Sequence, residues 1–107
     1  MNIPTVQHLE DIQALDSGEN PLVLLFVLDG CPFCRAFRPQ FETYMQENPF
    51  TYTYALYTSV DGDDALSEAY TIKSFPSILV LQHNKVLQRI EGRIDEGLDV
   101  GDLEELG

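Results

Sequence analysis

Two cysteines, Cys31 and Cys34, are the residues whose type and spacing most directly predict chemistry in this chain. They are the two cysteines of a 107-residue sequence, and two residues separate them. A secreted scaffold held together by disulfides carries more cysteines, spread over a longer reach, so a structural cross-link is a poor explanation. Two thiols one helical turn apart can form and break a disulfide between themselves. The pair therefore indicates thiol–disulfide exchange.

The residues around this pair predict a buried strand followed by a helix. Leu22–Leu28 is apolar at every position, which suits a strand buried on both faces. After a predicted turn, the spacing of apolar residues predicts a helix over 32–47. Cys31 then lies at the helix start, where unpaired N–H groups and the helix dipole favour an anion. We therefore expect Cys31 to attack as a thiolate and Cys34 to resolve the mixed disulfide.

Two arginines follow the cysteines on the same predicted helix. Arg35 lies one turn beyond Cys31, and Arg38 lies about one turn further along. They are two of the six Lys and Arg residues in a chain whose net charge is −12. Because cations near a thiol favour its thiolate form, we expect both arginines to modulate the acidity of Cys31.

The rest of the chain predicts a single α/β domain over residues 1–107. The predicted helices cover 5–17, 32–47, 64–72 and 95–106, and the predicted strands cover 22–28, 50–60, 77–82 and 85–91. Thr5 is the expected cap of the first helix, and His83-Asn84 is the expected hairpin turn. Helices that cross between parallel strands favour a sheet sandwiched by helices, and the closing hairpin makes that sheet mixed.

The chain resembles the thioredoxin family over nearly its whole length. Four features at family spacing carry this resemblance, namely Cys31-Pro32-Phe33-Cys34, Pro39 inside the helix, Ser74-Phe75-Pro76 and Gly92. The resemblance implies a thioredoxin fold with a central mixed sheet of four to five strands. It also implies a cis bond before Pro76 that faces the thiols. A groove for a polypeptide substrate is implied beside it, bordered by Pro32, Phe33, Phe75, Pro76 and Gly92.

Several positions depart from the thioredoxin pattern. The middle of the cysteine motif is Pro-Phe, which is more similar to glutaredoxins, and Gly30 stands where thioredoxins usually have Trp. Leu25 stands where thioredoxins bury an acid that takes the proton of the resolving thiol, and Tyr57 stands roughly where they have its Lys partner. We therefore expect Cys34 to lack a side-chain base and to resolve mixed disulfides slowly.

The predicted function is the reduction of protein disulfides through a Cys31/Cys34 dithiol–disulfide cycle, with no bound cofactor. The expected partners are disulfide-bearing proteins and, for recycling, a reductase or glutathione; a monomer is expected. The charge of −12 argues against nucleic-acid and anionic membrane surfaces. No stretch approaches the ~20 apolar residues of a membrane span. The N-terminal residues do not resemble a secretory signal, so we expect a cytoplasmic location.

Other interpretations remain open at this point. A thioredoxin fold can serve as a non-catalytic binding or assembly module whose thiols are incidental. A glutathione-dependent, glutaredoxin-like enzyme is a further alternative, although Arg93 replaces the second glycine that glutaredoxins carry after the last strand. The cysteines could also be inert core residues or half of a zinc site. Because zinc needs four ligands and the chain adds His8 and His83 in separate elements, no metal site is predicted.

Overall fold

A computed structural model of the chain describes residues 4–16, 19–47, 53–62, 64–93 and 96–106. The helices are α1 (Leu9–Asp16), α2 (Pro32–Glu47), α3 (Ala65–Ala69) and α4 (Val100–Leu103), and the strands are β1 (Leu22–Leu28), β2 (Thr53–Ser59), β3 (Ser77–Gln82) and β4 (Lys85–Glu91). No helix in these ranges is both long and apolar enough to cross a membrane.

The four strands form one mixed sheet in the order β2-β1-β3-β4. Strand β1 pairs in parallel with β2 and antiparallel with β3, and β3 pairs antiparallel with β4. The β3–β4 turn is His83-Asn84, whose φ angles of 49° and 67° are the left-handed values that a two-residue hairpin requires. The predicted fold class, a mixed sheet sandwiched by helices, is confirmed.

Strand β1 divides the interior into two cores, because alternate side chains of a strand point to opposite faces of the sheet. The thiol face packs against α2 and α4 and contains Val23, Leu25, Val27, Cys34, Phe37, Phe41, Met45, Leu56, Ile78, Val80, Leu98, Leu103 and Leu106. The far face packs against α1 and α3 and contains Val6, Ile12, Leu22, Leu24, Phe26, Ala55, Tyr57, Leu66, Ile72, Leu79 and Leu81. Burial of each large apolar side chain stabilises the folded state by roughly 1.5–3 kcal/mol. Because β1 is buried on both faces, all of its residues are apolar.

The first helix begins later than predicted, because its N-terminal N–H groups find a different acceptor. The backbone N–H groups of Gln7 and His8 each donate to Oδ2 of Asp11 at 3.0 Å. Thr5, the predicted cap, instead forms an isolated parallel bridge with Leu56 beside β2. The predicted cap is therefore wrong, and a carboxylate in the first turn takes its place.

The third helix is also shorter than predicted. Asp64 caps it and accepts the Ser67 N–H at 2.9 Å. The helix ends at Ala69 instead of residue 72, because Thr71 has a left-handed φ of 55° that stops helical hydrogen bonding. Strand β2 ends at Ser59, one residue earlier than predicted, and residues 50–52 of that prediction lie outside the described residues.

The last helix departs most from the prediction, because α4 covers four residues where 95–106 had been expected. Gly97 has a left-handed φ of 68° and forms a bridge with Arg93, so the chain is not helical there. The Asp99 N–H donates to Asp102 at 2.8 Å and the Asp102 N–H donates to Asp99 at 3.2 Å, a reciprocal arrangement that starts the helix at residue 100. Three leucines of this region are buried on the thiol face, namely Leu98, Leu103 and Leu106.

Candidate functional site

The two cysteines lie at the junction of β1 and α2. Gly30 takes a φ of 81° in the turn, and the Cys31 N–H donates to the Leu28 carbonyl at 3.1 Å. The Arg35 N–H donates to the Cys31 carbonyl at 3.1 Å, so Cys31 immediately precedes the first helical turn. Both cysteines are free thiols in this structure. The predicted position of the pair, between a buried strand and a helix start, is therefore confirmed.

The two thiols have unequal surroundings. Cys31 is partly exposed, whereas Cys34 is 4% exposed. The Cys34 N–H points to Sγ of Cys31 at 3.3 Å, and the Leu28 N–H points to Sγ of Cys34 at 3.4 Å. Burial, followed by the neighbouring Cys31 thiol, raises the pKa of Cys34 to about 12. Cys34 is therefore held as a neutral thiol, while the sulfur of Cys31 has both access to solvent and an N–H donor.

The segment predicted to border a polypeptide groove lies beside Cys31. The Phe75–Pro76 bond is cis, and the Cys31 Sγ is 3.9 Å from the Phe75 carbonyl oxygen. Gly92 lies against this segment, where a Cβ would come within 2.4 Å of the Pro76 carbonyl oxygen. Only glycine allows that approach. Cys31, the cis segment and the glycine are thus brought together as the family resemblance implies.

Phe33, the aromatic residue inside the cysteine motif, is 41% exposed. Its inner side contacts Gly97, where a Cβ would lie 2.8 Å from the Phe33 Cβ. The neighbouring Pro32 is exposed. Gly97 is a site neighbour that sequence reasoning missed, because its contact with Phe33 exists only in the folded chain.

The two predicted arginines lie beside the cysteine pair. Arg35 and Arg38 line a cleft of about 410 Å³. The other residues lining it are Val27, Leu28, Asp29, Gly30, Cys31, Cys34 and Thr58. The Nε of Arg38 is also 3.5 Å from the Glu42 carboxylate, an exposed pair one turn along α2. Both arginines therefore lie beside the thiols, and one of them, Arg38, also pairs with an acid, Glu42.

The structure agrees with one of the two positions predicted for the missing base of Cys34 and its partner, namely Leu25. Leu25 is fully buried on the thiol face with Cys34. The assignment of Tyr57 as the counterpart of the family's lysine is wrong, because Tyr57 lies on the far face. Leu56 pairs in register with Leu25, and alternation along β2 puts Leu56 and Thr58 on the cysteines' side. Burial and Cys31 raise the pKa of Cys34, and no carboxylate among the described residues contributes.

Two sequence comparisons relate this chain to known proteins. A family model described as Thioredoxin matches residues 5–100. A disulfide bond formation protein of Brevibacillus choshinensis is 32% identical over 87 residues, which cover 79% of this chain and 71% of that protein.

Solved structures of thioredoxins resemble the fold at low sequence identity. The thioredoxin of Malassezia sympodialis matches with a TM-score of 0.79 at 14% identity, covering 96% of this chain and 85% of the other. The thioredoxin of Plasmodium falciparum matches with a TM-score of 0.79 at 16% identity, covering 96% and 94%. These two likenesses show the fold alone.

Proposed function

The chain belongs to the thioredoxin family, and from that premise we propose that it reduces protein disulfides through a cycle in which Cys31 attacks and Cys34 resolves. Family membership together with the Cys31/Cys34 pair already shows a thiol–disulfide oxidoreductase in general terms. The proposal adds the reducing direction, the class of substrate and the separate role of each thiol.

The unequal burial of the two thiols is the observation that carries this proposal. The Cys31 sulfur is reachable and accepts an N–H at 3.3 Å, a contact that stabilises negative charge. Its thiolate attacks one sulfur of a substrate disulfide, and the other substrate sulfur leaves as a thiolate. The buried Cys34 keeps its proton at this stage, because its pKa is about 12. Cys34 therefore does not compete as the first nucleophile.

The second half of the cycle requires Cys34 to lose its proton. Cys34 then attacks the Cys31 side of the mixed disulfide, releases the second substrate thiol and completes the Cys31–Cys34 disulfide. With Leu25 in the position where thioredoxins bury an acid, the proton passes to water or to the departing substrate thiolate. Resolution by Cys34 is therefore the slow chemical step of the cycle, and the mixed disulfide persists until Cys34 loses its proton.

The groove beside Cys31 supports a polypeptide as the substrate. The Phe75 carbonyl oxygen lies 3.9 Å from the attacking sulfur, and the lack of a Cβ at Gly92 leaves room for the next carbonyl, that of Pro76. An extended segment can pair with backbone at this point in the manner of an added strand. Phe33, two residues after Cys31 in the sequence, is exposed and offers an apolar contact.

Single-cysteine variants test these roles. Cys31→Ser is expected to abolish turnover of a reporter protein disulfide. Cys34→Ser is expected to accumulate a covalent mixed disulfide, detectable by mass spectrometry as the summed mass and reversible by dithiothreitol. Circular dichroism of both variants verifies the fold. Normal turnover by Cys34→Ser would contradict the dithiol mechanism, and normal function of the double variant would favour a binding module.

A second candidate direction, donation of the disulfide to substrates, is favoured by the similarity to the disulfide bond formation protein of Brevibacillus choshinensis. Equilibration in graded reduced and oxidised glutathione separates the two. A Cys31–Cys34 potential near about −270 mV supports the reductant and one near about −120 mV supports the oxidant. The reducing direction goes with the proposed cytoplasmic location, since thiols there are kept reduced by reductases or glutathione.

A further inference from the structure

We propose that the cleft beside Arg35 and Arg38 takes a small thiol that carries a carboxylate, and that this thiol returns the Cys31–Cys34 disulfide to the dithiol. This inference rests on the dithiol cycle proposed above and names the chemical class of its recycling partner. It also separates two approaches to the cysteines, one for polypeptide substrates and one for the small reductant.

The cleft contains both cysteines but none of the residues of the cis segment. Cys31 and Cys34 both line its volume of about 410 Å³, whereas Phe75, Pro76 and Gly92 do not. That volume lies within the ~300–1,000 Å³ range of small-molecule sites. A folded protein cannot enter such a space, but a thiol of peptide size or smaller can.

Short side chains keep this cleft open. Gly30 lines it, and no heavy atom lies within 4 Å of the position that a Cβ would occupy there. Thr58 lines the opposite wall from strand β2 with a short polar side chain. A bulky residue at either position would fill the space beside the cysteines. The small residues Gly30 and Thr58 therefore leave the cavity open.

The charge at the cleft is opposite to that of the whole chain. Arg35 and Arg38 line it with one acid, Asp29, so its formal charge is positive, while the chain carries −12. A guanidinium beside a cavity is suited to a carboxylate through paired, charge-assisted hydrogen bonds. Because the Glu42 carboxylate already pairs with Arg38 at 3.5 Å, Arg35 is the main residue that binds the carboxylate of the small thiol. A neutral thiol would find no such partner.

The exchange balances with two molecules of the small thiol. The first, as a thiolate, attacks Sγ of Cys31, the more exposed sulfur, and the Cys31–Cys34 bond breaks. Cys34 leaves with the electron pair and takes a proton from solvent, a step that its raised basicity favours. A second thiolate attacks the small sulfur of the mixed disulfide and frees Cys31. The products are the protein dithiol and one small-molecule disulfide, so two electrons pass to the protein.

The test compares three probe thiols as reductants of the oxidised protein: mercaptoacetate, which is anionic, 2-mercaptoethanol, which is neutral, and cysteamine, which is cationic. Second-order rate constants are expressed per thiolate and divided by the rate constant of each thiol with a neutral small-molecule disulfide. The ratio of mercaptoacetate to 2-mercaptoethanol then cancels any change in the reactivity of the cysteines themselves.

In the double variant Arg35→Gln/Arg38→Gln this ratio is expected to fall about fivefold, the effect of losing two exposed charge pairs. The ratio for cysteamine is expected to rise in the same variant. Lys85→Gln removes one positive charge at the far end of the sheet, at the start of β4, and is expected to leave both ratios unchanged. Glu42→Gln releases Arg38 and is expected to raise the mercaptoacetate ratio.

An unchanged ratio in the double variant would overturn the assignment of the cleft. Equal loss in Lys85→Gln would overturn it as well, because the effect would then be the net charge of the chain. Turnover of a reporter protein disulfide with 2-mercaptoethanol as the reductant tests the dithiol cycle separately. If that turnover persists while the ratio is unchanged, the cleft assignment fails and the proposed function stands.

Discussion

Two ionisable groups on opposite faces of the sheet, Cys34 and Asp64, have pKa values that are shifted in opposite directions. On the thiol face, Cys34 is buried beside apolar side chains such as Leu25, and its pKa rises to about 12. On the far face, Asp64 accepts hydrogen bonds from the Ser59 hydroxyl and the Ser67 N–H, the latter at 2.9 Å. Burial alone would raise the pKa of Asp64, but these hydrogen bonds outweigh it and lower the pKa to about 2.

The difference shows where this chain uses its buried polar contacts. The far-face network, consisting of Tyr57, Ser59 and Asp64, fixes a helix cap and the turn after β2, since Ser59 also accepts the Gly62 N–H at 2.8 Å. Among the described residues, the thiol face has no equivalent hydrogen-bond network around Cys34, so the proposed cycle has no side-chain acceptor for the Cys34 proton there. The hydrogen bonds of the far face thus support stability, whereas in the proposed cycle the Cys34 proton on the thiol face passes to solvent or to the substrate thiolate.

The largest expected effect comes from breaking this division with Leu25→Asp. Burying a carboxyl group in place of a leucine is expected to lower the free energy of unfolding by about 3–5 kcal/mol. The introduced carboxyl group would share the thiol face with Cys34 and act as its base. Resolution of a mixed disulfide is therefore expected to accelerate on the order of 10²-fold, measured by rapid quench after mixing with a reporter disulfide.

Leu25→Asn is the matched control, because it has the same size and cannot accept the proton. Its stability loss should be similar, measured by urea unfolding, and its resolution rate should stay near that of the wild type. Equal acceleration in both variants would mean that loosened packing, and not a base, limits resolution.

The elements could be predicted wherever one physical signal dominates. The all-apolar run of β1 and the paired left-handed residues His83-Asn84 each admit one local structure. The cap of α1 could not be located, because Asp11 acts from inside the first turn, while Thr5 has the residue type of a cap and pairs with Leu56 instead. The start of the last helix was predicted too early. Gly97 has a left-handed φ, and the two hydrogen bonds between Asp99 and Asp102 start the helix at residue 100.

The second expected effect lies on the far face. Asp64→Ala removes the cap of α3 and the acceptor for Ser59, so the free energy of unfolding is expected to fall by about 2–3 kcal/mol. Asp64→Asn keeps a capping oxygen and should lose about half as much. Urea unfolding at pH 7 measures both. Alkylation of Cys31 by iodoacetamide should stay within about twofold of the wild-type rate, and a larger change would show that the two faces are coupled.

The third prediction concerns the acid side of the pH profile. The pKa of Asp64 is lowered to about 2 from its ordinary 3.8. Its contribution to stability is therefore fully present above about pH 4 and is lost as the pH falls through the folded pKa. We expect Asp64 to supply about 1–2 kcal/mol at pH 7.

The measurement is the difference in unfolding free energy between the wild type and Asp64→Asn, followed from pH 7 to pH 2.5. Asp102, whose pKa is lowered by the hydrogen bonds from Arg93, contributes acid loss in both proteins and cancels in that difference. A difference that grows as the pH falls would reverse the sign and contradict the assignment.

The site could be predicted as far as sequence spacing reaches. The cysteines and Gly92 lie where expected, and the arginines lie beside the thiols. Tyr57 was misplaced because a displacement of one residue along a strand moves a side chain to the other face, and sequence spacing does not set the register of β2 against β1. The cleft beside Gly30 could not be foreseen, since it depends on space left by residues from β1, α2 and β2 together.

The smallest expected effect sharpens the comparison, because it removes one hydrogen bond from the far face and no volume. Burial, followed by the Asp64 carboxylate, raises the pKa of Tyr57 to about 12, so its hydroxyl stays protonated and donates to that carboxylate. Tyr57→Phe is expected to lower the free energy of unfolding by about 0.5–1.5 kcal/mol. With one donor fewer, the pKa of Asp64 should move upward from about 2, so acid loss begins at a higher pH. If Tyr57→Phe instead changed the resolution rate at Cys34 without changing stability, the far face would take part in the redox chemistry and the division between the faces would be wrong.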